Sequence, residues 1–556
     1  MQLSDIFARG EALATRRPRL ALVLLCLCLY LPGFFTIPAL DRDEARFAQA
    51  SRQMLDSGDY VRMRVGEEDR NKKPVGIHWA QVTAVHALEA VGIPARGRIW
   101  AYRIPSLLGA ILAVLATFQL GRALVGRRAA LLAAALLAGC MVLVVETHIA
   151  KTDAALLATV AAAMGLFGMA YIRPGGFTAR QAAGFWAVLG VSILLKGPIG
   201  PMIPLLTGIT LAVMDRGAPW LRALRPQWGV ALMIAIAAPW MVAIGIATEG
   251  RFFAEAVGND MIAKVGSGEE KHWGPPGFYL LTFIIAAFPT AWLAMPALRH
   301  AWLQRGLPAT RFLLAWIVPS WLLFEAVQTK LPHYTLPLYP ALMLLIAHWA
   351  LDPLRLAPQR WMLWAMRALL VGVALGIGIV APAAGFLMGG RMVWTALFAL
   401  PAGALLAWTV LAATRHGNWA RGAVLGVVLA VPVYVSVLEL TLPRIEAMWI
   451  SPRLGDTLDR VAPGLPPRDF GMLGHAEPSV LFRVGAEVRL LPNAAEAAAF
   501  LSGAEGRVIA VAHRQEAAFQ AEAARQGLRL AEIASVDGYN YSRGRPVTLL
   551  LYRKAP

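Results

Sequence analysis

Charge is scarce in this chain: 15% of its 556 residues are Asp, Glu, Lys or Arg, against 58% hydrophobic, and the mean hydropathy is +0.56. A soluble globular domain carries about 25% charged residues, so that class is excluded. Cysteine is scarcer still. Cys26, Cys28 and Cys140 all sit in apolar runs and none has metal-site spacing, which excludes a disulfide framework. Acids are also few, 34 against 52 Lys and Arg, for a formal charge of +18. Such a surplus invites nucleic acid, yet the arginines fall in short clusters between apolar runs instead of one patch, which is the pattern of orientation in a bilayer. Nucleic-acid binding is excluded, and a polytopic membrane protein remains.

The N-terminus reads Arg16-Arg17-Pro18-Arg19 before an apolar run from Leu20 to Leu40. That run is longer than a signal-peptide core and lacks a small-residue cleavage site, so it reads as an uncleaved first span with the N-terminus cytoplasmic. Further spans are expected at about 101–121, 129–146, 153–172, 182–195, 198–214, 228–248, 277–298, 311–327, 334–351, 362–386, 393–413 and 420–441, about thirteen in all. Lys196-Gly197-Pro198 leaves the fifth and sixth short, so one broken helix is the alternative there. Every loop this count assigns to the cytoplasm contains Arg, among them Arg122, Arg127, Arg216, Arg305, Arg355 and Arg421. Residues 41–100, 249–276 and 442–556 then face outward.

Residues 442–556 read as a second, α/β domain after the membrane module 1–441. Short β-like runs, Arg507–Ala512 and Pro546–Tyr552, alternate with helical stretches near 494–502 and 514–526. This region has no phosphate loop, dinucleotide fingerprint or nucleophile elbow, so it reads as a lid or cap. Residues 540–545 contain a Tyr and two Arg suited to an anionic glycolipid.

The chemistry concentrates in the first outer loop. A helix from about residue 42 has Asp41 as N-cap and Glu44 as the N3 acid of a capping box. Asp43, Arg46, Phe47, Ala50 and Met54 then share one face, placing a carboxylate and a guanidinium on the side that the apolar residues turn inward. The plain alternative is an i,i+3 ion pair on a solvated helix. Asn71-Lys72-Lys73-Pro74 starts a second amphipathic helix with Pro at its first position and Trp79 as an interfacial anchor. Two lysines at a helix N-terminus are unfavourable unless an anion sits there. Glu146 to Asp153, Lys196, Lys271-His272-Trp273 and Lys330-Leu331-Pro332-His333-Tyr334 reach the same interface. Singly, each is a snorkelling charge at a helix end. Together they make a cationic pocket with two carboxylates, suited to a lipid phosphate as leaving group. Lys73, Arg46 and a Tyr hydroxyl hold the phosphate and a carboxylate takes a proton.

At these residues the chain resembles the aminoarabinose lipid A transferases, within the protein mannosyltransferase-like GT-C glycosyltransferases. The resemblance rests on the Asp-Glu-x-Arg of residues 43–46, the Lys73-Pro74 pair, Lys151-Thr152-Asp153 and the Lys-Leu-Pro-x-Tyr-x-Leu-Pro turn at 330–337. It implies a mainly α, polytopic GT-C fold with periplasmic juxtamembrane helices and a small C-terminal α/β domain, in a Gram-negative inner membrane. The implied activity is inverting transfer of a sugar from a polyprenyl (undecaprenyl) phosphate carrier to lipid A or another envelope glycolipid. By motif match, Asp43 and Asp153 are the two site acids and Arg46, Lys73 and Tyr334 the donor-phosphate contacts; Glu44, Lys72, Lys196, His272, Lys330 and His333, from their place at the outer interface, are further pocket candidates. Family members commonly read Glu-Lys-Pro where this chain has Lys72-Lys73-Pro74, and that Glu joins a later His in holding a metal. Lys72 repels a cation, which weighs against a divalent metal at that place without excluding one, and His272 can still occupy the other ligand position. The departure also leaves uronic acids, hexoses and hexosamines open as the sugar. A lipid flippase would show repeat symmetry and mid-membrane ionisable sites. An envelope-glycan polymerase or ligase would take a diphosphate-linked donor.

Overall fold

Most of the apolar runs become helices, but fewer are unbroken spans than the sequence suggests. The computed structural model describes residues 14–40, 42–256, 258, 274–541 and 543–555. The described elements begin with α1 (Pro18–Tyr30), α2 (Arg42–Ser57), α3 (Gly76–Ala90), α4 (Ile99–Val125), α5 (Arg127–Gly139), α6 (Met141–Thr147) and α7 (Asp153–Ile172). After these come α8 (Ala179–Lys196), α9 (Ile199–Met214), α10 (Pro226–Ala247), α11 (Phe278–Ala286), α12 (Ala294–Leu303), α13 (Pro308–Ala326) and α14 (Tyr339–Leu351). The membrane module closes with α15 (Arg360–Gly389), α16 (Ala399–Thr414) and α17 (Trp419–Tyr434).

Eight helical segments among the described residues are long and apolar enough to cross a membrane, nine if the bent α5–α6 pair is one span. The protein is therefore multi-pass, but the expected count of thirteen is not confirmed. The differences have local causes. The first apolar run is helical only to Tyr30, then turns at 31–37. The second half of the expected 129–146 span turns by 60° at Cys140, where the Met141 N–H donates to the Phe288 carbonyl. The expected 277–298 span is interrupted by a turn at 287–290, with a cis Phe288–Pro289 bond, before α12 begins. The 182–214 stretch, by contrast, is two helices as the two expected segments have it, and not the one broken helix of the alternative: Gly197 takes φ +64°, and a Cβ on Gly200 would meet Ser192 Oγ at 2.1 Å, so α9 folds back on α8.

Two close helix contacts position the outer-face loops. A Cβ on Gly109 of α4 would lie 2.7 Å from the Ala155 backbone of α7, so these helices touch where α7 starts with Asp153. A Cβ on Gly76 would lie 2.7 Å from the Leu194 carbonyl oxygen, which seats the start of α3 beside the end of α8. α3 begins at Gly76 with Val75 as its cap, two residues later than the sequence suggests, so Pro74 precedes the helix.

Residues 450–555 carry α18 (Ile450–Val461) and a five-stranded sheet. After the short hairpin of β1 (Arg64–Val65) and β2 (Glu68–Asp69), its strands are β3 (Phe470–Leu473), β4 (Arg489–Leu491), β5 (Val508–Ala512), β6 (Leu530–Asn540) and β7 (Arg545–Lys554). The order is β4-β3-β5-β7-β6, with β3, β4 and β5 parallel and β7 antiparallel to both neighbours. The alternation of β-like runs and helices foreshadows this α/β layering. Glu477 joins the unit to α2: Arg42 donates two bonds to it, at 2.9 and 2.7 Å, and Asn540 a third at 3.0 Å.

Candidate active site

The site is built on the fixed rotation of α2. Glu44, wholly buried, accepts from Arg103 Nε and Nη2 at 2.7 and 3.0 Å, from the Leu40 N–H at 2.6 Å and from the Ala150 N–H at 2.9 Å. Arg103, equally buried, gives its remaining N–H groups to the carbonyls of Phe34, Ile37 and Pro38 at 3.2, 2.8 and 2.8 Å. All five guanidinium protons are thus used, the condition under which a buried ion pair is tolerated. Four segments meet here: the turn after α1, the start of α2, α4 and the loop before α7. Glu44 is therefore a structural clasp and does not line the pocket expected of it. Its Leu40 bond resembles the expected capping box, while Asp41 lies outside the described residues.

With Glu44 turned inward, Asp43 and Arg46 face a cavity of about 1820 Å³. Asp43 lies 3.4 Å from Arg46 and 3.6 Å from Arg70, with half of its side chain exposed. Partial burial pushes its carboxyl pKa up, but Arg70, Arg46, Lys151 and Lys73 together outweigh that and hold it below the ordinary carboxylate range. Arg70 also stacks over the Phe47 ring at 4.4 Å, and that ring lies on His78 at 5.2 Å. Burial, then the Arg70 charge, pushes the His78 pKa down to about 3, so the ring stays neutral and bonds Ser51 Oγ at 2.8 Å. Arg70 was not picked out from the sequence. It sits just after the acid-rich β1–β2 hairpin, and only the fold returns it to Asp43.

A second group stands at the start of α7. Asp153 pairs with Lys196 and lies 3.8 Å from His333; Glu146 lies 3.3 Å from Lys151 and 3.6 Å from His333. Lys196 also sits 5.4 Å from the Tyr334 ring centre. Glu146, Lys151, His333 and Tyr334 line the cavity, whereas Asp153 and Lys196 lie outside its lining. Lys72 and Lys73 line it too. Lys330 does not: its buried ammonium donates to the Gly274 carbonyl at 2.7 Å. His272 lies outside the described residues. Glu146 and Lys151 stand in the same motif as Asp153, but nothing in its spacing signals that they pair or that Glu146 is the acid on the cavity wall.

The cavity is two-sided. Ten Lys and Arg against seven Asp and Glu give its polar walls a positive excess. Tyr541, Arg543 and Arg545, at the turn between β6 and β7, contribute to those walls, and the Tyr541 hydroxyl donates to the Leu40 carbonyl. Met141, Val142 and Val145 of α6 and Ile285 of α11 form an apolar wall, with Ile285 55% exposed on the outer surface of the bundle. A space of this kind accepts an amphipathic anion, phosphate against the cations and chain along the apolar helices.

Residues 90–242 match the family model described as dolichyl-phosphate-mannose-protein mannosyltransferase. Relatives from Pectobacterium carotovorum and Aeromonas salmonicida, both named undecaprenyl phosphate-alpha-4-amino-4-deoxy-L-arabinose arabinosyl transferase, are each 28% identical over 61% of this chain. The alignments span 62% and 61% of those relatives' own lengths. The crystal structure of ArnT from Cupriavidus metallidurans bound to undecaprenyl phosphate superposes with a TM-score of 0.73 at 19% identity, covering 96% of this chain and 97% of that one. The archaeal oligosaccharyltransferase AglB from Archaeoglobus fulgidus superposes at 0.50 with 12% identity, over 90% of this chain and 70% of that one. The fold is thus a polytopic GT-C fold with a small sheet unit. More particularly it is the fold of the ArnT structure over nearly its whole length, and these matches bear out the resemblance carried by the motifs.

Proposed function

We propose that the chain is an inverting glycosyltransferase that moves a sugar from an undecaprenyl-phosphate carrier to a cell-envelope acceptor, lipid A or another lipopolysaccharide component. It works at the periplasmic face of a Gram-negative inner membrane, with the N-terminus cytoplasmic and residues 442–556 as a separate periplasmic domain. The carrying observation is the two-sided cavity, which suits a lipid phosphate better than a soluble nucleotide. The names of its relatives point the same way. Transfer breaks the bond between the anomeric carbon and the carrier phosphate, which gains charge; Lys73 and Arg46 offset that charge, with Tyr334 lining the same cavity.

Asp43 is the acid best placed to receive an acceptor proton, since it lines the cavity and is half exposed. A phosphate acceptor arrives ionised and needs no base. Asp153 holds Lys196 and His333 in place, and acts as a supporting acid. The test is reconstitution in liposomes with undecaprenyl-phosphate aminoarabinose and lipid A, comparing the parent chain with Lys73→Ala. Losing one charge-assisted phosphate contact, about 1.5–3 kcal/mol, should weaken donor use about ten- to a hundredfold without unfolding the protein. Use of a diphosphate-linked donor in place of the monophosphate would hand the function to a polymerase or ligase.

A further inference from the structure

At the end of the bundle remote from the cavity, three metal-binding side chains converge that the transfer reaction does not use. His300 stands near the end of α12, His348 near the end of α14 and Asp352 just beyond it. One ligand atom from each lies within 4.8 Å of the other two. His300 Nε2 is 3.0 Å from Asp352 Oδ2, and His348 Nε2 is 3.4 Å from the amide oxygen of Gln304. The other ring nitrogen of His300 is buried without a partner among the described residues, so this ring's polar bonding is directed at Asp352. Asp352 is itself oriented: its Oδ1 accepts the Leu354 N–H at 2.8 Å.

We propose that His300, His348 and Asp352 bind a divalent transition-metal ion of the zinc class, with Gln304 or water completing four-coordination. Two imidazoles and a carboxylate are a donor set that zinc accepts. Zinc bonds of about 2.0–2.1 Å in a tetrahedron put neighbouring donors about 3.3–3.4 Å apart, and the two closest contacts here are already near that spacing. The carboxylate's second bond to the Leu354 N–H is the outer support that fixes a metal ligand. Such an ion clasps α12 to α14 and the following turn. Its place is on the order of 20 Å from Tyr334, by the rise of the intervening helical turns, so it stabilises the bundle without entering the transfer chemistry.

The experiment uses the full chain, purified in detergent without a polyhistidine tag, stripped with chelator and titrated with cobalt(II) chloride, then zinc(II) chloride. The expected result is one equivalent of cobalt with the visible bands of four-coordinate geometry, displaced by zinc, and a raised thermal midpoint. His348→Gln and Asp352→Asn, which keep polar side chains at these positions, should each weaken binding at least about ten- to a hundredfold. Transfer activity should remain in Asp352→Asn. No stoichiometric band in the parent chain overturns the proposal and leaves a simple hydrogen-bonded His–Asp–Gln group. A band unchanged in both variants also overturns it, by placing the metal elsewhere.

Discussion

Glu44 and Asp43 are neighbours on one helix, yet their surroundings are opposites. Glu44 is enclosed, with every lone-pair direction that matters answered by Arg103 or a backbone N–H. Asp43 is half exposed, beside more positive charge than it can neutralise. The difference teaches where structure ends and chemistry begins: a satisfied charge holds segments together, while an excess of one sign facing a cavity waits for a ligand of the other sign.

The comparison can be broken from either side. Asp43→Asn should bring the larger effect, a loss of about a hundred- to ten-thousandfold in turnover with lipid A and donor supplied, while the thermal midpoint stays near that of the parent. Near-parental turnover would mean that the acceptor needs no base. Glu44→Ala should do the reverse, costing about 3–5 kcal/mol of stability because it strands the buried Arg103; thermal unfolding in detergent measures it. A stable Glu44→Ala protein that is merely slow would erase the distinction between the two acids.

The smallest effect is on the docking of the sheet unit. Burial pushes the Glu477 pKa up, but the bonds from Arg42 and Asn540 prevail and hold it below the ordinary value of 4.5. A carboxyl with a depressed folded pKa contributes fully above its unfolded value and loses that contribution as pH falls through the folded one. Docking of residues 450–555 onto α2 should therefore be constant from pH 8 to pH 5 and weaken only below about pH 4.5. Hydrogen exchange in β6 and α2 reads this out, and a change already present between pH 7 and 6 would assign the contact to another group.

Much of this was readable in residues 41–79 because helical period is local: once a helix starts at residue 42, the directions of Asp43, Arg46 and Phe47 follow. The apolar runs and the C-terminal alternation were equally local signals. What was not readable depends on distant partners. Nothing near Glu44 announces Arg103, 59 positions away, and so Glu44 was expected in the pocket. Gly139 and Pro289 mark weak points in 129–146 and 277–298, but nothing local says how the breaks are held, since each is satisfied by the other: Met141 donates to Phe288, and the Tyr434 hydroxyl lies 2.8 Å from the Gly139 carbonyl oxygen and 3.2 Å from that of Phe288. Apolar composition counted segments, and packing decided which of them cross in one piece.

The Glu44–Arg103 clasp acts on α2 as an indexing pin acts on a wheel. One residue along an α-helix is a rotation of about 100°, so after a single inserted or deleted residue between Pro38 and Glu44 either the helix turns and the pin disengages, or the entry loop buckles to keep it engaged. In the first case Asp43 and Arg46 would swing away from Arg70, and in the second the loop would lose the carbonyls that hold Arg103. The stretch is thus tolerant of changed side chains at its exposed positions and intolerant of changed length. What it stores is an angle.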